Sequence, residues 1–277
     1  MPGLTFIKQF AREYLLAVQF FTRIPITGPL ADWIGFSPEL QRASAAHFPG
    51  VGMLVGGFAA GAYALLLALL PDSTFTPLVA AVLSTAATVW LTGGFHEDGL
   101  GGSHEREHAL DIMKDSRLGA YGAIALVLAL LAKVALLAIL GSVEGAPTGW
   151  DETPFDGWYI CTALFTGHVV SRGLPLLLIY LLPHVGNTAA SKSRPLAGQI
   201  TRASLLLAFL WCLVALAAAS YVLDAVNLTV ACSFAVLALL WMGRLFKRRL
   251  QGFTGDCLGA AQQVCEIAFY FGLAISL

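Results

Sequence analysis

Charge is what this sequence has least of. Only 12% of its 277 residues are Asp, Glu, Lys or Arg, against about 25% in soluble domains. With 57% hydrophobic residues, such a chain does not read as an ordinary water-soluble domain. The net charge is −1, and no basic tract is interleaved with aromatics, which argues against nucleic acid as a partner. Cysteine is sparse and odd in number: Cys161, Cys212, Cys232, Cys257 and Cys265 show neither paired metal spacing nor a disulfide framework. No P-loop or dinucleotide fingerprint occurs, and Ser116 and Ser171 lack a nucleophile-elbow context. The first apolar patch is broken by Lys8 and Arg12, which argues against a cleavable signal peptide.

What the chain has instead is long apolar runs. A bilayer core takes about 20 apolar residues as a helix, and seven segments qualify: roughly 49–70, 76–95, 119–140, 158–183, 203–224, 227–243 and 258–277. The fourth contains Arg172 and Pro175, and the sixth is short. The pattern predicts an all-α, polytopic integral membrane bundle of about seven transmembrane helices over 49–277. Residues 6–23 are predicted to form an amphipathic helix lying in the interface, with Lys8 and Arg12 toward headgroups. No repeat or long linker divides the chain, so 1–277 reads as one membrane-embedded domain. Gly52, Gly56, Gly57 and Gly61 have the small-xxx-small spacing of close helix contacts.

The loops predict sidedness. Of 16 basic residues, all but Lys133 and Arg172 fall in the N-terminal region or in three alternating loops: Arg106 to Arg117, Lys192 to Arg202, and Arg244 to Arg249. The intervening loops carry none, only acids such as Asp72, Glu144 and Asp224. The positive-inside rule then puts the N-terminus and the basic loops in the cytoplasm, with the protein in the cytoplasmic (inner) membrane.

Two polar knots on that side could carry chemistry. In Gly93-Gly94-Phe95-His96-Glu97-Asp98-Gly99-Leu100, adjacent carboxylates suit a hard cation such as Mg²⁺, which takes oxygen ligands and shares them with phosphates. His96 is a candidate for metal or phosphate contact, or simply a helix-end hydrogen-bonding residue. The stretch Ile112-Met113-Lys114-Asp115-Ser116-Arg117-Leu118-Gly119 brings phosphate-neutralising cations to the start of a helix, whose amides favour an anion. Asp115 could orient either cation or bind metal. In the second knot, Gln251 to Asp256, Thr254 or Asp256 could cap the last helix, and Asp256 could complete a carboxylate site with Glu97 and Asp98. Glu266, Arg172 and Lys133 lie inside apolar runs. Intramembrane charge is expensive enough to be either functional or paired for packing.

With these residues in view, the chain resembles the cobalamin synthase family, the adenosylcobinamide-GDP ribazoletransferases. The resemblance runs nearly end to end, through Phe21-Thr22-Arg23-Ile24-Pro25, Phe48-Pro49-Gly50-Val51-Gly52, Gly93 to Leu100, Ile112 to Gly122, Ser171-Arg172, and Thr254 through Glu266. It implies Mg²⁺-dependent transfer of the corrinoid phosphate of adenosylcobinamide-GDP to α-ribazole or its 5′-phosphate, releasing GMP. It also implies Asp98, Lys114 and Arg117 as catalytic residues. His96, Asp115, Ser116, Arg172 and Thr254 would be substrate-binding, and Glu97, Asp98 and Asp256 metal-binding. The partners implied are these two substrates and the lipid bilayer, and a homo-oligomer is compatible with the sequence.

The chain departs from the family at one point. The acidic loop of the family runs Asp-Gly-Leu-Ala-Asp-Thr-x-Asp-Gly, whereas here Asp98-Gly99-Leu100 passes straight to Gly101-Gly102-Ser103. At least two carboxylates are missing, so either the remaining acids hold the metal or activity suffers. The rival readings are an inactive scaffold of this family and a membrane transporter using Arg172, Lys133 and Glu266. A transporter predicts internal repeats with matching broken helices, and the sequence has none. A phospholipid-type alcohol phosphotransferase would show aspartates spaced along one helix, also absent.

Overall fold

The computed structural model describes residues 2–97, 120–143, 155–185 and 200–277. Among these the regular structure is helical, with no strand beyond a single bridge between His184 and Phe253. The chain begins with α1 (Pro2–Phe21), followed by the short α2 (Pro29–Ile34) and α3 (Pro38–Ser44). A single turn of tighter helix carries α3 into α4 (Phe48–Leu69), and α5 (Thr76–Thr92) returns antiparallel to it. Then come α6 (Ala120–Gly141), α7 (Trp158–Gly173), α8 (Leu176–Leu181), α9 (Arg202–Ala219), α10 (Ala225–Arg249) and α11 (Gly255–Ile275).

Six stretches are long and apolar enough to cross a bilayer: Pro38–Leu69, Ala120–Gly141, Trp158–Leu181, Arg202–Ala219, Ala225–Arg249 and Gly255–Ile275. The protein is therefore a multi-pass helical membrane protein. Three of the predicted spans differ in detail. The helix expected over 76–95 stops at Thr92, leaving 17 residues, because Gly93 takes a left-handed conformation (φ 72°) that ends it. The fourth breaks between Gly173 and Leu176 around Pro175, which offers no amide to the helix ladder. The sixth is longer than expected and runs on to Arg249.

Polarity is arranged for lipid. Leu128, Leu131, Leu206, Leu213, Leu237 and Trp241 face outward, while Ser171, His168, Arg172, Gln262 and Glu266 are buried. The span Trp158–Leu181, made of α7 and α8, is the central one, with 78% of its apolar window buried against 17% for α6; α7 forms most of it. Two glycines let α7 approach α4. A Cβ on Gly52 would sit 2.5 Å from the His168 carbonyl oxygen, and one on Gly56 would sit 2.7 Å from that of Phe165. Gly57 and Gly61 have nothing within 4 Å, so only half of the predicted glycine motif is a contact. Accordingly, Gly52→Ala and Gly56→Ala should lower the melting temperature in detergent, because backbone atoms cannot yield. Gly57→Ala and Gly61→Ala should leave it unchanged or raise it through better helix propensity. Equal melting for all four variants would contradict this packing.

α1 is amphipathic and is not among the candidate spans. It buries Leu16, Ala17, Val18 and Phe21 and exposes Phe6 and Ile7. Lys8 is exposed as expected, but Arg12 is not a headgroup residue. Its Nε and Nη2 donate to the Ile34 carbonyl at 2.9 and 2.7 Å, which ties α1 to the end of α2. A guanidinium fork satisfies a carbonyl left over at a helix terminus.

Candidate functional site

The starts of α4 and α11 and the ends of α1, α5 and α7 meet at one end of the bundle. Gly93 and Gly94, both at positive φ, turn the chain out of α5 and deliver Phe95, His96 and Glu97 onto α11. The fit there is tight. A Cβ on Gly259 would lie 3.0 Å from the His96 carbonyl oxygen, and Glu97 Oε1 accepts from Gln263 Nε2 at 2.9 Å. Glu97 Oε2 is buried with no partner. At the start of α11, Thr254 caps the helix by accepting from the Cys257 amide at 3.3 Å. Asp256 occupies the first turn, where an acid suits the helix dipole. Phe253 is pinned by its amide to the Pro183 carbonyl and by its carbonyl to the Val185 amide, both at 2.9 Å.

These elements enclose a cavity of about 40 Å³ lined by the aromatic rings of Phe20, Phe21, Phe48 and Phe95, with His96, Arg172 and Gln262 among its polar groups. His96 stacks on Phe21, with ring centroids 5.4 Å apart and planes at 13°. Burial, and then the positive charge of Arg172, hold the imidazole well below its usual pKa, so it is neutral.

Behind the cavity lies a polar network buried inside the spans. Arg172 Nη1 lies 3.0 Å from both His168 Nδ1 and the His168 carbonyl oxygen. Glu266 is fully buried. Its Oε1 is 2.7 Å from Lys133 Nζ and accepts from Tyr270 at 3.1 Å. Its Oε2 accepts from Gln262 Nε2 at 2.6 Å, and Gln262 also reaches Ser171 at 2.9 Å. One face of α11 (Gln262, Glu266, Tyr270) thus meets Lys133 of α6 and His168, Ser171 and Arg172 of α7. The pairing of Lys133 with Glu266, expected as the packing alternative, is present.

Of the sequence-predicted site residues, His96 and Arg172 line the cavity. Glu97 lies beside it on Gln263, and Thr254 and Asp256 open the helix that forms one wall. Asp98, Lys114, Asp115, Ser116 and Arg117 lie outside the described residues. No group of three His, Cys, Asp or Glu side chains that could hold a metal occurs among the described residues, so a carboxylate site would need more than Glu97 and Asp256. Sequence reasoning missed His168, Tyr270 and the four phenylalanines. The first two carried a signal: His168 and Arg172, like Gln262, Glu266 and Tyr270, recur at i, i+4 within apolar runs, the spacing of one helix face. The phenylalanines come from three separated segments: Phe21, Phe48 and Phe95 stand in the motifs that carry the family resemblance, but nothing in the sequence marked them as one wall.

This geometry defines a polytopic helical membrane protein with a largely apolar pocket at one end of its bundle, into which a few polar groups reach, backed by a buried ionic network. The cobalamin-5-phosphate synthase family profile matches residues 13–274. The chain is 72% identical over 279 positions to the adenosylcobinamide-GDP ribazoletransferase of Polaromonas sp. (strain JS666 / ATCC BAA-500), covering 98% of this chain and 99% of that one. It is 68% identical to the protein of the same name from Polaromonas naphthalenivorans (strain CJ2), covering 97% and 99%. It is 57% identical to that of Albidiferax ferrireducens, covering 98% and 100%. No solved structure matches it. The chain belongs to the cobalamin-5-phosphate synthase family.

Proposed function

We propose that the protein is an adenosylcobinamide-GDP ribazoletransferase. It would join the corrinoid phosphate of adenosylcobinamide-GDP to α-ribazole or its 5′-phosphate in the cytoplasmic membrane. The observation that carries this reading is the end-to-end 72% identity to a protein of that name. In the reaction, a ribazole hydroxyl oxygen forms a bond to the phosphorus attached to the corrinoid. The bond from that phosphorus to the bridging oxygen breaks, GMP leaves with the electron pair, and the hydroxyl proton passes to water. Such a transfer requires positioning and charge neutralisation rather than a covalent intermediate. Lys114 and Arg117 neutralise the diphosphate, with Asp115 and Ser116 orienting them, and the aromatic wall keeps water from the corrinoid-side phosphate. Incubating the purified protein with adenosylcobinamide-GDP, α-ribazole and Mg²⁺ tests the reading by GMP release; absence of GMP with either acceptor removes it.

The residues fit a magnesium ion in one respect. Glu97 Oε2 is a buried carboxylate oxygen without a partner, the kind of ligand a hard cation takes. Glu97, Asp98 and Asp256 would hold the ion, which supplies charge for the diphosphate. The acidic loop passes from Leu100 straight to Gly101-Gly102-Ser103. Fewer carboxylates leave the ion more dependent on substrate oxygens. Restoring the family's Ala-Asp-Thr-x-Asp-Gly segment after Leu100 should therefore lower the Mg²⁺ concentration for half-maximal rate. Equal Mg²⁺ titrations for both forms would show that the restored segment takes no part in the metal site, leaving it to Glu97, Asp98 and Asp256 alone.

The basic loops lie in the cytoplasm in this reading. Its support is the restriction of loop arginine and lysine to one set of alternating loops, and the meeting of α4, α5, α7 and α11 ends around one pocket. Cysteines introduced at Ser103, Ser193 and Gln251 should react with a membrane-impermeant maleimide only after the cytoplasmic face is opened. Reaction of any of them in intact cells overturns the topology.

A further inference from the structure

The cavity holds a charge with which no described carboxylate makes an ion pair. Arg172 is 5% exposed, and a guanidinium stays protonated in proteins. It cannot accept a hydrogen bond, so Nη1 donates to His168 Nδ1 at 3.0 Å, and that nitrogen is the unprotonated one. The 3.4 Å approach of Glu266 Oε2 to the same nitrogen is then a contact rather than a hydrogen bond, since Nδ1 cannot both accept and donate. Glu266 has its own cation in Lys133 at 2.7 Å. Glu97 spends Oε1 on Gln263 and makes no ion pair with Arg172. Glu266 and Glu97 favour the guanidinium charge from a distance, yet among the described residues no carboxylate touches Arg172, and its Nε has no hydrogen-bond partner. An isolated buried charge is costly unless something pairs with it.

The space beside it limits what that partner is. A cavity of about 40 Å³ is roughly three times what one water requires. That admits a single phosphoryl group and excludes a nucleoside or a corrin. The rings of Phe20, Phe21, Phe48 and Phe95 give the space an apolar lining, and such surroundings strengthen a charge–charge contact. Gly255, the first residue of α11, also lines the space, and its amide has no acceptor within the helix. A guanidinium gripping a phosphate in two-pronged fashion suits these surroundings.

Resting on the ribazoletransferase reading, we infer that this cavity is a phosphoryl subsite. Arg172 binds a phosphate of one substrate there, and Glu266, held in direct contact by Lys133, leaves the guanidinium fork free to grip it. The phosphate belongs either to the diphosphate of the corrinoid donor or to the 5′-phosphate of the acceptor. Kinetics of the full-length protein in lipid nanodiscs separate the two, using α-ribazole and α-ribazole 5′-phosphate as acceptors for wild type, Arg172→Lys and Arg172→Met. In folded Arg172→Met, KM should rise roughly ten- to a hundredfold for the substrate whose phosphate sits in the cavity, with kcat changing less. Arg172→Lys, which keeps the charge without the fork, should lie between. A rise in donor KM with both acceptors assigns the diphosphate, and a rise confined to α-ribazole 5′-phosphate assigns the acceptor. Unchanged KM for every substrate, or equal rises for the two acceptors with donor KM unchanged, overturns the subsite.

Should Arg172→Met fail to fold, inorganic phosphate serves as probe on the wild type and Arg172→Lys. It should raise the melting temperature of the wild type and do so less for the lysine variant. No rise in the wild type, or an equal rise in both, overturns the subsite as well. Wild-type GMP release is scored separately, so failure of the ribazoletransferase reading is distinguishable from failure of the subsite.

Discussion

Lys133→Met is expected to be the most damaging single substitution in the bundle interior. Lys133 is 2% exposed on a helix that mostly faces lipid, and its ammonium is the only cation paired with Glu266 Oε1 among the described residues, at 2.7 Å. Methionine fills a similar volume but leaves the carboxylate with hydrogen bonds only from Tyr270 and Gln262. Breaking a buried pair from one side costs about 3–5 kcal/mol, which lowers the melting temperature by on the order of 10 °C in a chain of this size. Lys133→Met combined with Glu266→Gln should recover most of the loss. The amide that replaces the carboxylate can still accept from Tyr270, and its NH₂ can donate to Gln262 Oε1, which has no partner in the wild type. Thermal unfolding of the three proteins in detergent decides the matter. A single variant as stable as the wild type, or a double variant as weak as the single, would show that the pair does not hold α6 to α11.

The same network shows how far the sequence could be read. The helices were legible because lipid imposes a length and a polarity on each, and the apolar runs report both. Gly93 and Pro175 are visible as breakers, yet where each helix stops depends on the conformation they adopt. The expected span over 76–95 therefore lost its last turn to a left-handed glycine. Glu266, Lys133 and Arg172 stood out as charges in apolar runs, and their cost announced that they were paired or functional. Which of them pair is a matter of helix rotation and packing, set by contacts such as Gly52 and Gly56 against the backbone of α7. No periodicity within one segment encodes that. The cavity was the least legible feature, because its wall is assembled from Phe20 and Phe21, Phe48 and Phe95, ordinary apolar residues made special only by where their helices end. Arg12 shows the converse: its position on an amphipathic helix pointed to headgroups, and a carbonyl left over at the end of α2 claimed it instead.

Asp98→Asn and Glu97→Gln are expected to abolish most Mg²⁺-dependent GMP release while leaving the fold intact. Under the assignment proposed above, both carboxylates serve a charge outside the protein rather than packing within it. Glu97 illustrates the distinction. Its Oε1 accepts from Gln263, a bond that the carbonyl of a substituted glutamine can reproduce, whereas Oε2 is buried without any protein partner. Replacing that orphaned oxygen by an amide removes a negative charge with which no described group makes an ion pair. The melting temperature without Mg²⁺ should therefore stay level or rise, since an unpaired buried carboxylate is itself a cost. Turnover should fall by about 10²–10³, the loss typical of removing one electrostatic contributor to a charged transition state. On the same assignment, few carboxylates share the cation, each contributes a larger part of its affinity, and raising Mg²⁺ should recover part of the rate in Glu97→Gln. Melting curves with and without Mg²⁺, beside initial rates across a Mg²⁺ titration, test both halves. A folded Glu97→Gln protein with wild-type rates would remove Glu97 from the metal site. An Asp98→Asn protein that unfolds would assign Asp98 to the fold instead of the reaction.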